Sequence, residues 1–146
     1  MKATAVMLAD HATVREGLLH VLGGGISRVI RDPLPAPLGA MLALMLQPDD
    51  PDDLLRTHDL EVTIKHATAE GEGSVAKAVM TLRSAISAPG PLSPVAVVVP
   101  LQLVPITETG IHRVTVNLDG EQAASIEFEV VKAADLQPGT EPPSNL

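Results

Sequence analysis

The chain has no cysteine, no tryptophan and no tyrosine, and Phe128 is its one phenylalanine. Without cysteine there is no disulfide, no thiolate zinc site and no thiol nucleophile. With a single phenylalanine it lacks the stacking platforms on which sugar sites and single-stranded nucleic-acid sites rely. Positive charge is also scarce: 10 Lys and Arg stand against 18 Asp and Glu, a formal charge of −8. Binding to a phosphate backbone needs the opposite balance, so nucleic acid is not an expected partner. Membrane-length apolar runs are missing too. Leu38–Leu46 falls far short of the roughly 18–20 residues of a spanning helix, so no integral membrane segment is expected. Lys2 and the apolar Ala3–Ala9 have the outline of a signal peptide, but Asp10 ends the run and no small-x-small cleavage site follows. The segment reads as a first strand, and the protein as soluble and cytoplasmic.

What is present is a globular composition. Of 146 residues, 45% are hydrophobic, which is enough for one domain with a core of Val, Leu, Ile, Ala and Met. Asp10–Gly17 reads as a polar turn and Gly17–Leu22 as a second strand, ended by Gly23-Gly24-Gly25. Ile26–Ile30 fits no single pattern. Pro33, Pro35 and Pro37 make an extended connector. Leu38–Leu46 favours helix by propensity, yet it is short and bounded by Pro37 and Pro48, so it reads as a strand buried on both faces. Leu60, Val62, Ile64 and His66 alternate with Glu61, Thr63 and Lys65, the pattern of a half-buried strand. Ala76, Ala78, Met80 and Leu82 alternate with Lys77, Thr81 and Arg83 in the same way. Pro89-Gly90-Pro91 and Pro94 form a loop. Val95–Val104 is an apolar strand whose Pro100 suits an edge or a bulge. Residues 132–146, with Pro138, Gly139, Pro142 and Pro143, read as a flexible tail beyond a domain spanning 1–131.

Asp119-Gly120 between His112–Leu118 and Ala123–Val131 is a strong hairpin signal. A plain two-residue loop would set Val114 opposite Ser125 and Arg113 opposite Ile126, mixing wet and dry faces. Val114, Val116 and Leu118 share a face with Ile126, Phe128 and Val130 only if an extra residue intervenes. The pattern predicts a three-residue turn or a G1-type bulge with Gly120 at positive φ.

Motifs that carry chemistry are few. Gly23–Gly25 lacks the Gly-Lys-Ser/Thr end of a phosphate loop, and there is no Gly-x-Ser-x-Gly elbow. His11, His20, His58, His66 and His112 have no chelating local spacing. The acidic run Asp49, Asp50, Asp52 and Asp53 is the one candidate metal site: clustered carboxylates on a loop between strands are hard oxygen ligands for Ca²⁺. The ordinary alternative is a solvated turn.

Two resemblances follow from the residues. Leu8-Ala-Asp10-His11 followed by Val14-Arg-Glu-Gly-Leu18 is similar to the acidic strand end and first helix of response-regulator receiver domains. That resemblance implies a phospho-acceptor among Asp49, Asp50, Asp52, Asp53 and Asp59, but the Ser/Thr-Ala strand end and late Lys of receivers do not follow. The opening Met1-Lys-x-Thr-Ala-Val-Met-Leu-Ala-Asp10, then Gly17-x-Leu-x-x-x-Gly-Gly24, Gly110-x-His-x-Val-x-Val-x-x-Asp-Gly120 and Ile126-x-Phe-x-Val130, resembles an uncharacterised family of small bacterial proteins classed as a domain of unknown function. That family implies a β-sandwich with no established activity. The chain departs from it at His112, where an aromatic ring is usual, so His112 is expected to fill a core-edge position.

Together these readings predict a single all-β domain, an antiparallel β-sandwich (immunoglobulin-like or C2-like) of about seven or eight strands. The expected role is non-catalytic: a protein-binding or assembly module without a cofactor, with a homo-oligomer as one form of assembly. Calcium-dependent peripheral binding through Asp49, Asp50, Asp52 and Asp53 is the alternative, and a receiver-like regulator the remote one. Ala12–Leu22 discriminates, being helix in a receiver and turn plus strand in a sandwich.

Overall fold

The computed structural model describes residues 1–83 and 93–136. The expected loop at Pro89-Gly90-Pro91, and all but the first few residues of the expected tail, lie outside them. Strands come in the order β1 (Lys2–Arg15), β2 (Leu18–Gly24), β3 (Arg28–Ile30), β4 (Ala36–Pro37), β5 (Met41–Gln47), β6 (Thr57–Thr68), β7 (Gly71–Arg83), β8 (Val95–Pro100), β9 (Pro105–Ile106), β10 (Gly110–Leu118) and β11 (Glu121–Val131). Single 3₁₀ turns occupy Pro51–Leu54 and Ala133–Asp135.

A four-stranded sheet in the order β2-β1-β5-β8 and a five-stranded sheet in the order β3-β11-β10-β6-β7 form the sandwich, with β4 and β9 paired beside them. All pairings are antiparallel except β3 with β11. The fold is thus all-β and sandwich-like, with one parallel pair that the alternation of the short Ile26–Ile30 stretch did not disclose.

The core follows from strand parity. Leu8, Leu42, Leu44, Leu46, Val97 and Val99 point inward from the first sheet. Leu60, Val62, Ile64, Val114, Val116 and Phe128 meet them from the second. Leu44 lies between two strands, β1 and β8, on the sheet's inner face and is fully buried. Burial in a central strand overrides the helical preference of this Leu-, Ala- and Met-rich segment.

The polar turn expected at Asp10–Gly17 is corrected: β1 runs on to Arg15, and the turn is only Glu16-Gly17, at φ 53° and 75°. Ala12 is buried and pairs with Val21, so this stretch has a packing reason to remain extended. Asp10 fits in the strand because it lies beside Gly23, at φ +60°, where a Cβ would sit 2.6 Å from the Asp10 carboxylate. Ala12–Leu22 is therefore strand, turn and strand, which removes the receiver reading: its first helix does not exist.

The second hairpin obeys the parity argument by a slightly different device. Val114 pairs with Ile126 as the apolar faces require. The turn itself has two residues, Asp119 and Gly120 at φ 52° and 85°, the arrangement of a type I′ turn. The extra residue is Ala123, bulged between the pairs Val116–Ala124 and Asn117–Gln122.

Candidate functional site

The acidic run lies where the chain crosses from β5 to β6. Pro51 starts a 3₁₀ turn, and Asp50 caps it by accepting the Asp53 amide at 3.0 Å. Asp53 is 3% exposed. Its carboxylate accepts the Asp49 amide at 2.8 Å, lies 2.9 Å from the Met1 amino group and pairs with Arg56. Asp49 also meets the Met1 amine. Those hydrogen bonds and charges, the Met1 amine foremost, outweigh burial and hold Asp53 far below the usual carboxylate range. Three of the four acids, Asp49, Asp50 and Asp53, thus lie beside cations of the chain itself, Asp50 at 3.9 Å from Arg56. Among the described residues no three His, Asp or Glu side chains converge as a metal-ion cage.

No sequence pattern announces the group packed beside this turn. His58 is 6% exposed. Its Nδ1 lies 2.6 Å from Asp119 Oδ2 and its Nε2 2.8 Å from the Asp53 carbonyl. Both neighbours are acceptors, so the ring that satisfies them carries two protons. Burial opposes that charge, but the Asp119 carboxylate and the Asp53 carbonyl prevail, and the His58 pKa is raised. Asp119 is lowered in turn, by His58 first and then by the Asp59 amide. The cause is register: Leu60 of β6 pairs with Leu118 of β10, which carries His58 and Asp119 to the same end of the sheet. Neither ring nitrogen is left to act as a base, so the pair is a clasp between the crossover turn and the hairpin tip.

His112 is buried, with its ring stacked on Phe128 at 5.2 Å and tilted against His66 at 4.7 Å. It lies inside the core, not at the core edge where the sequence led us to expect it. Burial lowers its pKa, against the Gly110 carbonyl at 3.1 Å. His66 meets the Glu108 carboxylate at 2.8 Å and the Thr109 carbonyl at 2.8 Å. His11 and His20 lie exposed on β1 and β2. The three histidines with buried or half-buried rings are all accounted for by local partners.

What distinguishes the two sheets is the chemistry of their outer sides. The five-stranded sheet is laced with ion pairs: Lys77–Glu61 at 2.7 Å, Arg113–Glu127 at 2.7 Å and Arg28–Glu129 at 2.8 Å. Its edge strand β7 carries Glu72, Lys77 and Arg83, and its edge strand β3 carries Arg28. The four-stranded sheet shows the reverse. On β5 and β8 the residues facing away from the core are apolar from Met41 to Met45 and from Ala96 to Val98, flanked by Ala5 and Met7 of β1, while Lys2 and Gln47 pair at one end of that face and Arg15 lies at the far end of β1. Neither of its edge strands, β2 and β8, contains a charged residue. On β2, Leu18 and Leu22 are 59% and 69% exposed. Charged residues and prolines usually guard such edges; here Pro100 alone, at the end of β8, does so.

The model of a family of unknown function (DUF6941) matches residues 4–131. The chain belongs to that family. No curated protein matches this DUF6941 chain in sequence. Among solved structures, it is similar to the Pseudomonas fluorescens alkylpurine DNA glycosylase AlkC bound to DNA containing an abasic site analog, at 20% identity and a TM-score of 0.38. That likeness covers 63% of this chain and 25% of the glycosylase chain, so the chain spans about a quarter of the length of that protein. Among the described residues of the DUF6941 chain, no helix is long and apolar enough to cross a membrane.

Proposed function

We propose that this DUF6941 chain is a non-catalytic protein-binding module that engages partners through its four-stranded sheet. The observation that carries the reading is the asymmetry between the sheets: one is covered in ion pairs, the other has no charged residue on either edge strand. Open, uncharged edges favour strand addition, in which backbone hydrogen bonds supply affinity and alternate side chains supply selectivity. The hydrogen bonds of His58 through both ring nitrogens, of His112 to the Gly110 carbonyl and of Asp53 to the Asp49 amide support a structural use for them.

Site-specific photo-crosslinking in lysate of the native cell tests this. A photoreactive residue replacing Leu22 or Ala96 is expected to trap protein adducts, while one replacing Leu55, an 82% exposed apolar residue on the crossover turn, is not. Equal trapping at all three positions overturns the reading.

A further inference from the structure

We infer that the partner of β2 is β2 of a second copy of the chain, paired antiparallel across a two-fold axis at His20. This rests on the strand-addition reading above and names its partner. The closing pair of the two-residue β1–β2 turn is Arg15–Leu18, and such a pair exchanges its own hydrogen bonds. By alternation, Leu18, His20 and Leu22 direct their N–H and C=O groups toward β1, while Leu19 and Val21 direct theirs outward. Pairing Leu19 with the other copy's Val21, and Val21 with its Leu19, satisfies all of those outward groups. The same register sets Leu18 opposite Leu22 twice, on either side of a His20–His20 pair. Both exposed leucines thereby gain an apolar partner. Moving the axis by one residue sets leucine against histidine instead.

Charge points the same way. A chain of −8 repels its copies, and β2 is a lane without charge in which a ladder can form; β7, with Lys77 and Arg83, is not. Area sets the strength. A seven-residue edge is about 24 Å long and its pairing covers about 400 Å² per copy, about half of the ~800 Å² of a standard interface. The dimer therefore belongs to the transient class.

Two measurements on the full chain test this. In sedimentation velocity from about 5 to about 500 µM, the average mass of the wild type is expected to rise toward twice the monomer value, and that of Leu22→Lys to stay at one. Since the chain has no cysteine, His20→Cys gives a single thiol, placed opposite its copy at a distance suited to a disulfide. Mild oxidation is expected to link His20→Cys into dimers at least tenfold faster than Leu55→Cys. A wild type that stays monomeric throughout, or equal linking rates for the two cysteine variants, overturns the pairing. Trapping of a different protein at Leu22 alongside a monomeric wild type would remove the second copy and leave strand addition standing. Loss of both results would remove both.

Discussion

At the scale of residues, the His58 clasp makes stability depend on pH in a definite direction. The folded-state pKa of His58 is raised. Its contribution is therefore fully present below the unfolded imidazole value of about 6.5 and is lost as pH rises through the folded value. Asp119 and Asp53 are lowered. Their contributions are present above the unfolded value of about 3.9 and are lost as pH falls through the folded values. The clasp is complete between those limits. Thermal melting is expected at a higher temperature at pH 6 than at pH 8.5, and His58→Gln is expected to narrow that difference. At pH 6 His58→Ala should cost about 2 kcal/mol by urea denaturation, the scale of a lost hydrogen bond to a charged group. No local pattern marked this pair, because His58 and Asp119 are far apart in sequence and meet only through the register of β6 on β10. By contrast, the inward face of His112 was readable, since it stood in step with Val114, Val116 and Leu118 on an alternating strand.

At the scale of elements, the two glycines of the hairpins make different demands. Gly120 sits at φ +85° with open space where a methyl group would stand, whereas Gly23, at φ +60°, also faces the Asp10 carboxylate. Gly120→Ala is expected to cost only the backbone strain, about 1–2 kcal/mol. Gly23→Ala should cost more, and Asp10→Ala in the Gly23→Ala background should recover part of the excess; urea midpoints read all three. Strand identity was legible wherever one face is wet, as in Leu60–His66 and Ala76–Leu82. It was not legible at Asp10–Arg15, because the room that admits Asp10 belongs to a different strand. The bulge was required by parity, but its place at Ala123 depends on where the type I′ turn closes the ladder. The acidic turn carried a double meaning that composition could not resolve, since its cations come from Met1 and Arg56. Millimolar Ca²⁺ is expected to move the melting temperature no further than Mg²⁺ at the same concentration.

At the scale of the molecule, the central strand β5 divides its side chains between a true core and a second apolar layer. Leu44 and Met45 are neighbours on β5, yet Leu44 is fully buried in the core and Met45 faces the other way. Leu44→Ala should cost about 2–5 kcal/mol. Met45→Ala should cost less than half as much, and equal costs would mean that the outer layer is packed like a core. The all-β class was legible from turn spacing and alternation. The parallel β3–β11 pair was not, because three residues carry too little pattern to declare direction.

The long first strand has a further consequence. Its residues up to Ala9 pair with β5 and those from Ala9 onward with β2, so that Ala9 alone is shared. Beyond that residue the β1–β2 ribbon is held again at Ala12, which is buried and whose amide meets Met41 Sδ of β5 at 3.3 Å. Fraying can begin at the Glu16-Gly17 tip and stop at Ala12. The edge that offers itself to another strand is thus loosest at its tip and firmest where buried Ala12 pairs with Val21.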